Sequence, residues 1–227
     1  MPADSLPLFP LQTVLLPGAQ LPLHIFEPRY RQLTVDLVTG VVPDKRFGVI
    51  ALRPSLEIEV TKLDQLREYG CTAILRQATR LPDGRFDIVT AGEKRFRLLA
   101  LDSTSAPYLI GAVEWVPDTA VPAVAEDALG MLLRNARSAH RRYCHAAWQR
   151  GDWTEPPDDA DTAGLAHLLA SDCLLSLDDR QQLLEETRPL HRLRLIGKLL
   201  NREAGILSAL RAVPAPPAGF QTEFSAN

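Results

Sequence analysis

The chain has 227 residues, of which 46% are hydrophobic and 23% charged, with a formal net charge of −3. That length and balance suit one large or two small globular domains and argue against the broad positive field of a general nucleic-acid binder. No window approaches the ~18 consecutive apolar residues that a membrane helix requires, so no membrane partner is expected.

The first stretch, "LPLFPLQTVLLPGAQLPLHIFEPRYRQL" (6–33), is apolar but carries Pro7, Pro10, Pro17, Pro22 and Pro28. It lacks the basic start and unbroken apolar core of a secretory leader, and it reads as folded structure. Leu6–Leu11, Val14–Leu16 and Leu21–Phe26 suit short strands at sheet edges and tight turns. A helix is expected from Pro28, with Tyr30, Leu33, Thr34, Leu37 and Val38 on its packing face and Gly40 at its close. Further extended runs follow at 46–53, 70–92, 95–102 and 108–116, and Asp83-Gly84 marks a hairpin because both turn residues tolerate positive φ. Near Pro117 the composition changes. "AVAEDALGMLLRNARSAHRRYCHAAW" (123–148) suits a long helix with an acidic start and a basic end.

A polar, proline-containing loop at 151–164 leads into a short helix near Ala163–Ala170. A second helix is expected to open at Ser176, with Asp179 three residues on in a capping-box arrangement. The last helix, about Arg188–Leu210, places Leu193, Ile196, Leu200, Ala204 and Leu207 on one face and His191, Arg194, Lys198 and Arg202 on another. The segment from 212 to 227 reads as a flexible tail. Cys71, Cys144 and Cys173 are an odd number, widely spaced and outside any C-x-x-C pair, which fits reduced thiols and a cytoplasmic location.

Two clusters invite a chemical reading. "HRRYCH" (140–145) puts His140 and Cys144 on one helical face, but zinc needs three or four ligands, so a solvated helix end with a half-buried thiol explains it more simply. Cys144 and His145 are adjacent and point about 100° apart, which rules out a nucleophile–base pair between them. In "HIFEPRYR" (24–31), Glu27 and Arg29 are explained by helix capping and a local ion pair. No catalytic residue, cofactor site or metal site is expected. Arg29, Arg31 and Gln32 form a candidate polypeptide-contact ridge. Residues 74–97 carry six basic against three acidic side chains, and Arg95 and Arg97 form a candidate basic strand for nucleic acid.

The opening stretch, then "FGVIALR", "YGCTAI", "LPDGRFDIVTAGEKRFRLL" and "PYLIGAVE", in that order and spacing, resemble the N-terminal substrate-binding domain of the Lon protease family. "LAHLLASDCLLSLDDRQQLLEE" and "RLRLIGKLLNRE" resemble the helical segment that follows it, so the resemblance runs from Leu6 to about Leu207. It implies an α+β fold: a β-rich PUA-like pseudo-barrel at 1–117, then a helical bundle at 118–211. It also implies a non-catalytic module that recognises polypeptide or client protein. The ATPase and Ser-Lys protease domains of that family have no counterpart in the chain. Gly197-Lys198 is no Walker A loop, because position 192 is Arg and Leu199 stands where Ser or Thr would hold magnesium. The expectation is a stand-alone, ATP-independent binding protein that is not an enzyme, with a separate ATPase or protease as a possible partner. RNA binding, from PUA-like architecture, is the alternative, and the acidic overall charge makes nucleic acid the weaker candidate.

Overall fold

Proline lacks the N–H a central strand position needs, so Pro7 and Pro10 constrain how β1 (Asp4–Leu11) can pair. In the computed structural model, which describes residues 4–54, 60–121, 126–147, 153 and 155–210, β1 changes partner halfway. Asp4–Pro7 pair antiparallel with β6 (Ile110–Trp115), and Leu8–Leu11 pair parallel with β3 (Arg46–Leu52). Each proline thus stands on a stretch whose recorded pairing runs along one side. β1 is therefore inside the sheet order rather than at the edge expected of it.

β2 (Gln20–Ile25), β4 (Leu66–Arg80) and β5 (Phe86–Asp102) complete the sheet, in the order β2-β5-β4-β3-β1-β6. A further β5–β6 pairing closes β5, β4, β3, β1 and β6 into a barrel. β5 is one strand of 17 residues where separate extended runs were expected. Its first part pairs with β2 and its last part with β6, on opposite sides of an irregularity near Gly92–Arg95. The Thr72 hydroxyl fills that irregularity, accepting from Lys94 N at 2.9 Å. Leu6, Leu8, Ile50, Leu66, Phe96, Leu98, Leu109 and Val113 form the buried centre. The hairpin expected at Asp83-Gly84 is present between β4 and β5, with Gly84 at φ 82°.

Between β2 and β3, α1 (Pro28–Thr39) begins on Pro28 and ends at Gly40, whose φ is 83°. It buries Tyr30, Leu33, Thr34 and Leu37, and the Tyr30 ring stacks on Phe9 at 3.9 Å between centroids. Val38, expected on this packing face, is instead 51% exposed. It lies about a quarter turn from the centre of the stripe, where the 100° advance per residue carries it off the contact.

Residues 1–118 cluster into one compact unit together with Arg180–Thr187. Gln181, within that returning segment, is buried and donates its amide to Tyr69 O on β4 at 3.1 Å. The second unit comprises Thr119–Asp179 and residues from Arg188 onward. It contains α2 (Glu126–Ala147), α3 (Thr162–Ser171) and α5 (Pro189–Leu210), while α4 (Leu177–Glu185) crosses from the second unit into the first. At the α4 start Asp179 N donates to Ser176 Oγ at 3.2 Å, one half of the expected capping box, and the Ser176 hydroxyl in turn donates to Asp179 Oδ2 at 2.6 Å. α2 and α5 approach closely where Ala136 meets Gly197, since a Cβ on that glycine would lie 3.9 Å from Ala136 Cα. Leu193, Ile196, Leu200 and Ala204 are buried, Leu207 is half-buried, and His191, Arg194, Lys198 and Arg202 are exposed. Gly197-Lys198 lies inside α5, where no phosphate loop can form. The tail expected at 212–227 lies outside the described residues, as do the first residues of the stretch expected to form the long helix.

Candidate functional site

Side chains of α1 that do not pack inward leave an apolar exposed face on the first unit. With Tyr30, Leu33 and Leu37 turned inward, Gln32, Val35 and Val38 fall outward at i, i+3 and i+6. Gly40 then reverses the chain, Val42 N bonds back to Asp36 O at 3.0 Å, and Val42 is buried while Val41 is left 72% exposed. Phe26, just before the helix, is 62% exposed. Neither Val35, Val41 nor Phe26 was singled out from sequence, although the Gln32–Val35–Val38 spacing carried the signal.

Of the three residues expected to form a contact ridge, only Gln32 is freely exposed, and its amide donates to Asp36 Oδ1 at 2.7 Å. Arg29 is half-buried, paired with Glu27 at 2.8 Å and placed over the Tyr30 ring at 4.7 Å. Glu27 forms that ion pair but makes no side-chain cap to the helix. Arg31 covers the β4–β5 turn, its guanidinium occupying the space a Cβ on Gly84 would need. Two arginines of the ridge thus brace local structure, and the valines beside them present the apolar surface. Asp36 also accepts from the Tyr108 hydroxyl at 2.9 Å, which pins α1 to the segment before β6. Burial, with the Asp36 carboxylate beside it, pushes Tyr108 up to about 12, and burial pushes Tyr30 up to about 12.

β2 leads into α1 through Phe26 and Glu27, and it pairs with β5 along one side, standing at the end of the strand order. Such an edge can accept a further extended chain, though Pro22 removes one donor. His24 and Asp87 lie across the β2–β5 pair, 2.7 Å apart.

The basic strand does not form as expected. Arg95 is 5% exposed, with its Nη2 2.7 Å from Asp118 Oδ1, while Arg97 is exposed and paired with Glu68 at 2.5 Å. Arg95 and Arg97 do lie on one face, pairing in unbroken register with Cys71 and Tyr69, but the approach of Asp118 covers Arg95 alone. Phosphate contacts need exposed cations, and of this pair only Arg97 is exposed.

In the second unit, His140 and Cys144 share a helical face as expected, with Sγ 3.5 Å from Nε2, but both are buried rather than half-solvated. The edge of Trp153 meets the His140 ring at 5.8 Å. Burial lowers the His140 pKa and pushes the Cys144 thiol up to about 12, so neither behaves as an activated nucleophile or base. Among the described residues, no group of three or more His, Cys, Asp or Glu is placed to hold a metal ion. Because His140 is held neutral in the fold, its contribution to stability is present above its ordinary value near 6.5 and is lost as pH falls below that. Melting temperature is therefore expected to fall between pH 7 and pH 5, with one proton contributing a slope of at most about 1.4 kcal/mol per pH unit. His140→Leu should flatten that part of the profile, and an unchanged slope would count against the buried neutral imidazole.

No helix among the described residues is long and apolar enough to cross a membrane. A model of the family described as the ATP-dependent protease La (LON) substrate-binding domain matches residues 5–202. Lon protease 2 of Herpetosiphon aurantiacus is 27% identical over 89% of the chain, and Lon protease of Anaeromyxobacter dehalogenans is 30% identical over 89%. The chain spans about a quarter of the length of those curated relatives, 24% in each case. The crystal structure of the Lon N-terminal domain protein from Xanthomonas campestris covers 93% of the chain and 99% of its own, at 24% identity and a TM-score of 0.57. The N-terminal domain of the Mycobacterium avium complex Lon protease covers 87% of the chain and 98% of its own, at 21% identity and a TM-score of 0.61. These two solved structures share the fold.

Proposed function

The chain belongs to the ATP-dependent protease La (LON) substrate-binding domain family, and on that premise we propose that it is a non-catalytic module that binds polypeptide through the apolar outer face of α1 and the adjoining β2 edge. The observation that carries this reading is the exposed pair Val35 and Val38 on a helix whose other face is buried, with exposed Phe26 just before the helix and exposed Val41 just after it. Apolar side chains spaced along one exposed face suit an unfolded or client polypeptide, whose sequence varies but whose apolar groups recur. Binding of this kind is independent of ATP, takes place in the cytoplasm, and can deliver a client to a separate ATPase or protease. RNA is the weaker ligand, because the chain is acidic overall and Arg95 is occupied by Asp118.

A fluorescence titration with a labelled unfolded model protein should give roughly micromolar affinity, about −8 kcal/mol. Raising the salt should change it little, since apolar burial carries no counterions. Replacing Val35 and Val38 together by Asp should weaken binding by about tenfold or more without lowering the melting temperature. Labelled RNA titrated in parallel should bind weakly at any salt. Salt-sensitive RNA binding without polypeptide binding would overturn the proposal.

A further inference from the structure

β2 leaves one row of backbone groups without a strand beside it, and its bonds to β5 fix which row that is. Gly92 N donates to Ala19 O at 2.8 Å and Thr90 Oγ1 donates to Leu21 O at 2.9 Å, so the carbonyls of Ala19 and Leu21 face β5. Antiparallel pairing alternates bonded and non-bonded positions. The register runs unbroken from Gln20↔Ala91 to Ile25↔Phe86, which gives Leu23 and Ile25 the same orientation. Gln20, Pro22 and His24 therefore turn their backbone groups the other way, where no strand pairs among the described residues. Proline fits at 22, since the N–H it lacks is not one that β5 needs. The free edge thus offers N–H and C=O at Gln20 and His24, and C=O alone at Pro22.

The two faces flanking that edge differ. On one, Leu21 and Leu23 are half-buried opposite the buried Thr90 and Ile88 of β5, and Ile25 is buried opposite Phe86. On the other, Gln20, Pro22 and His24 are exposed, and His24 meets Asp87 at 2.7 Å. A strand laid along the edge extends both rows. Its apolar side chains cover the open carbon of Leu21 and Leu23, and its polar ones stay in water beside Gln20 and His24. A second copy of the chain is a poor occupant. Antiparallel pairing of two β2 edges sets Pro22 against Pro22, or against Gln20 or His24 twice over, and every such arrangement forfeits two hydrogen bonds for want of a donor. A client strand without proline meets Pro22 once and forfeits one.

We propose that the free edge of β2 takes an extended client segment whose side chains alternate between apolar and polar, the apolar ones beside Leu21 and Leu23, with Pro22 keeping the edge from a second copy of the chain. The inference rests on the polypeptide-binding reading and gives it a preferred class of sequence and a backbone-bonded geometry.

The test is fluorescence anisotropy on the full chain with labelled peptides of equal length and composition, one alternating Val with Thr and one with the same residues rearranged to set Val at helical spacing. The alternating peptide should bind at least about tenfold more tightly. N-methylation of every second residue then removes alternate N–H groups and leaves the side chains as they are. Methylating one set alone should abolish binding: the Thr set for an antiparallel client, the Val set for a parallel one. Equal loss from both sets, or from neither, overturns the proposal. His24→Pro removes an edge donor that β5 does not use and should weaken the alternating peptide by about fivefold, while His24→Ala should not. The protein carrying both Val35→Asp and Val38→Asp should keep the preference. Self-association of the full chain in sedimentation velocity that the alternating peptide fails to reverse would assign the edge to a second copy and overturn the proposal. Normal binding of the labelled unfolded protein with no discrimination between the two peptides overturns this inference alone, and loss of both removes the polypeptide-binding reading with it.

Discussion

Asp118→Ala is expected to lower the unfolding free energy by several kcal/mol, toward the lower end of the roughly 3–5 kcal/mol that follows removal of one partner from a buried ion pair. Arg95 is the reason. Its side chain is 4% exposed, against 25% for Asp118, and its Nε and Nη1 have no hydrogen-bond partner. With the carboxylate gone, a guanidinium that cannot lose its proton stays buried without its counter-charge. Asp118→Asn keeps an acceptor but not the charge and should fall between the alanine variant and the parent. Urea unfolding should show a lower midpoint at unchanged slope, and a loss below about 1 kcal/mol would mean that the site admits water freely enough to solvate Arg95.

Gly92→Ala is the second change expected to be severe. A Cβ at this position would lie 2.3 Å from Leu16 O, and the obstacle is backbone. The same backbone is held from both sides, because Gly92 N donates to Ala19 O at 2.8 Å and Gly92 O accepts from Gly18 N at 2.9 Å. Neither β5 nor the turn at Leu16–Ala19 can retreat without breaking these bonds, so the cost should reach or exceed about 3 kcal/mol, the upper part of the range for overpacking. Gly205→Ala provides the opposite case. Nothing lies within 4 Å of the added carbon, the residue sits inside α5, and helix propensity alone should stabilise by up to about 1 kcal/mol. If the two variants shift the thermal midpoint equally, close approach at Gly92 is not what limits that site.

The difference between Val38 and Leu37 illustrates what the sequence could and could not convey. Periodicity located α1, its Pro28 start and its Gly40 end, because these depend on neighbours a few residues away. It could not place the boundary of the buried stripe, which depends on what strands distant in sequence present to the helix. Arg95 makes the same point for the sheet. Strand alternation gave it the exposure of Arg97, and the two do share a face, but the approach of Asp118, 23 residues later, put Arg95 inside. The capping contact of Ser176 and Asp179 and the Asp83-Gly84 turn were legible for the opposite reason, since each is complete within four residues.

The return of Arg180–Thr187 to the first unit has a consequence for how the protein is made. At synthesis rates of about 5–20 residues per second, the ribosome needs several seconds to add the roughly 70 residues between Asp118 and Thr187. For nearly all of that interval the six strands have been synthesised, yet Gln181, which donates to the Tyr69 carbonyl, does not yet exist. Nascent-chain quality control therefore meets this barrel in an unfinished form, and a pause or premature stop in the codons for the helical half would leave a folding defect in the half already translated.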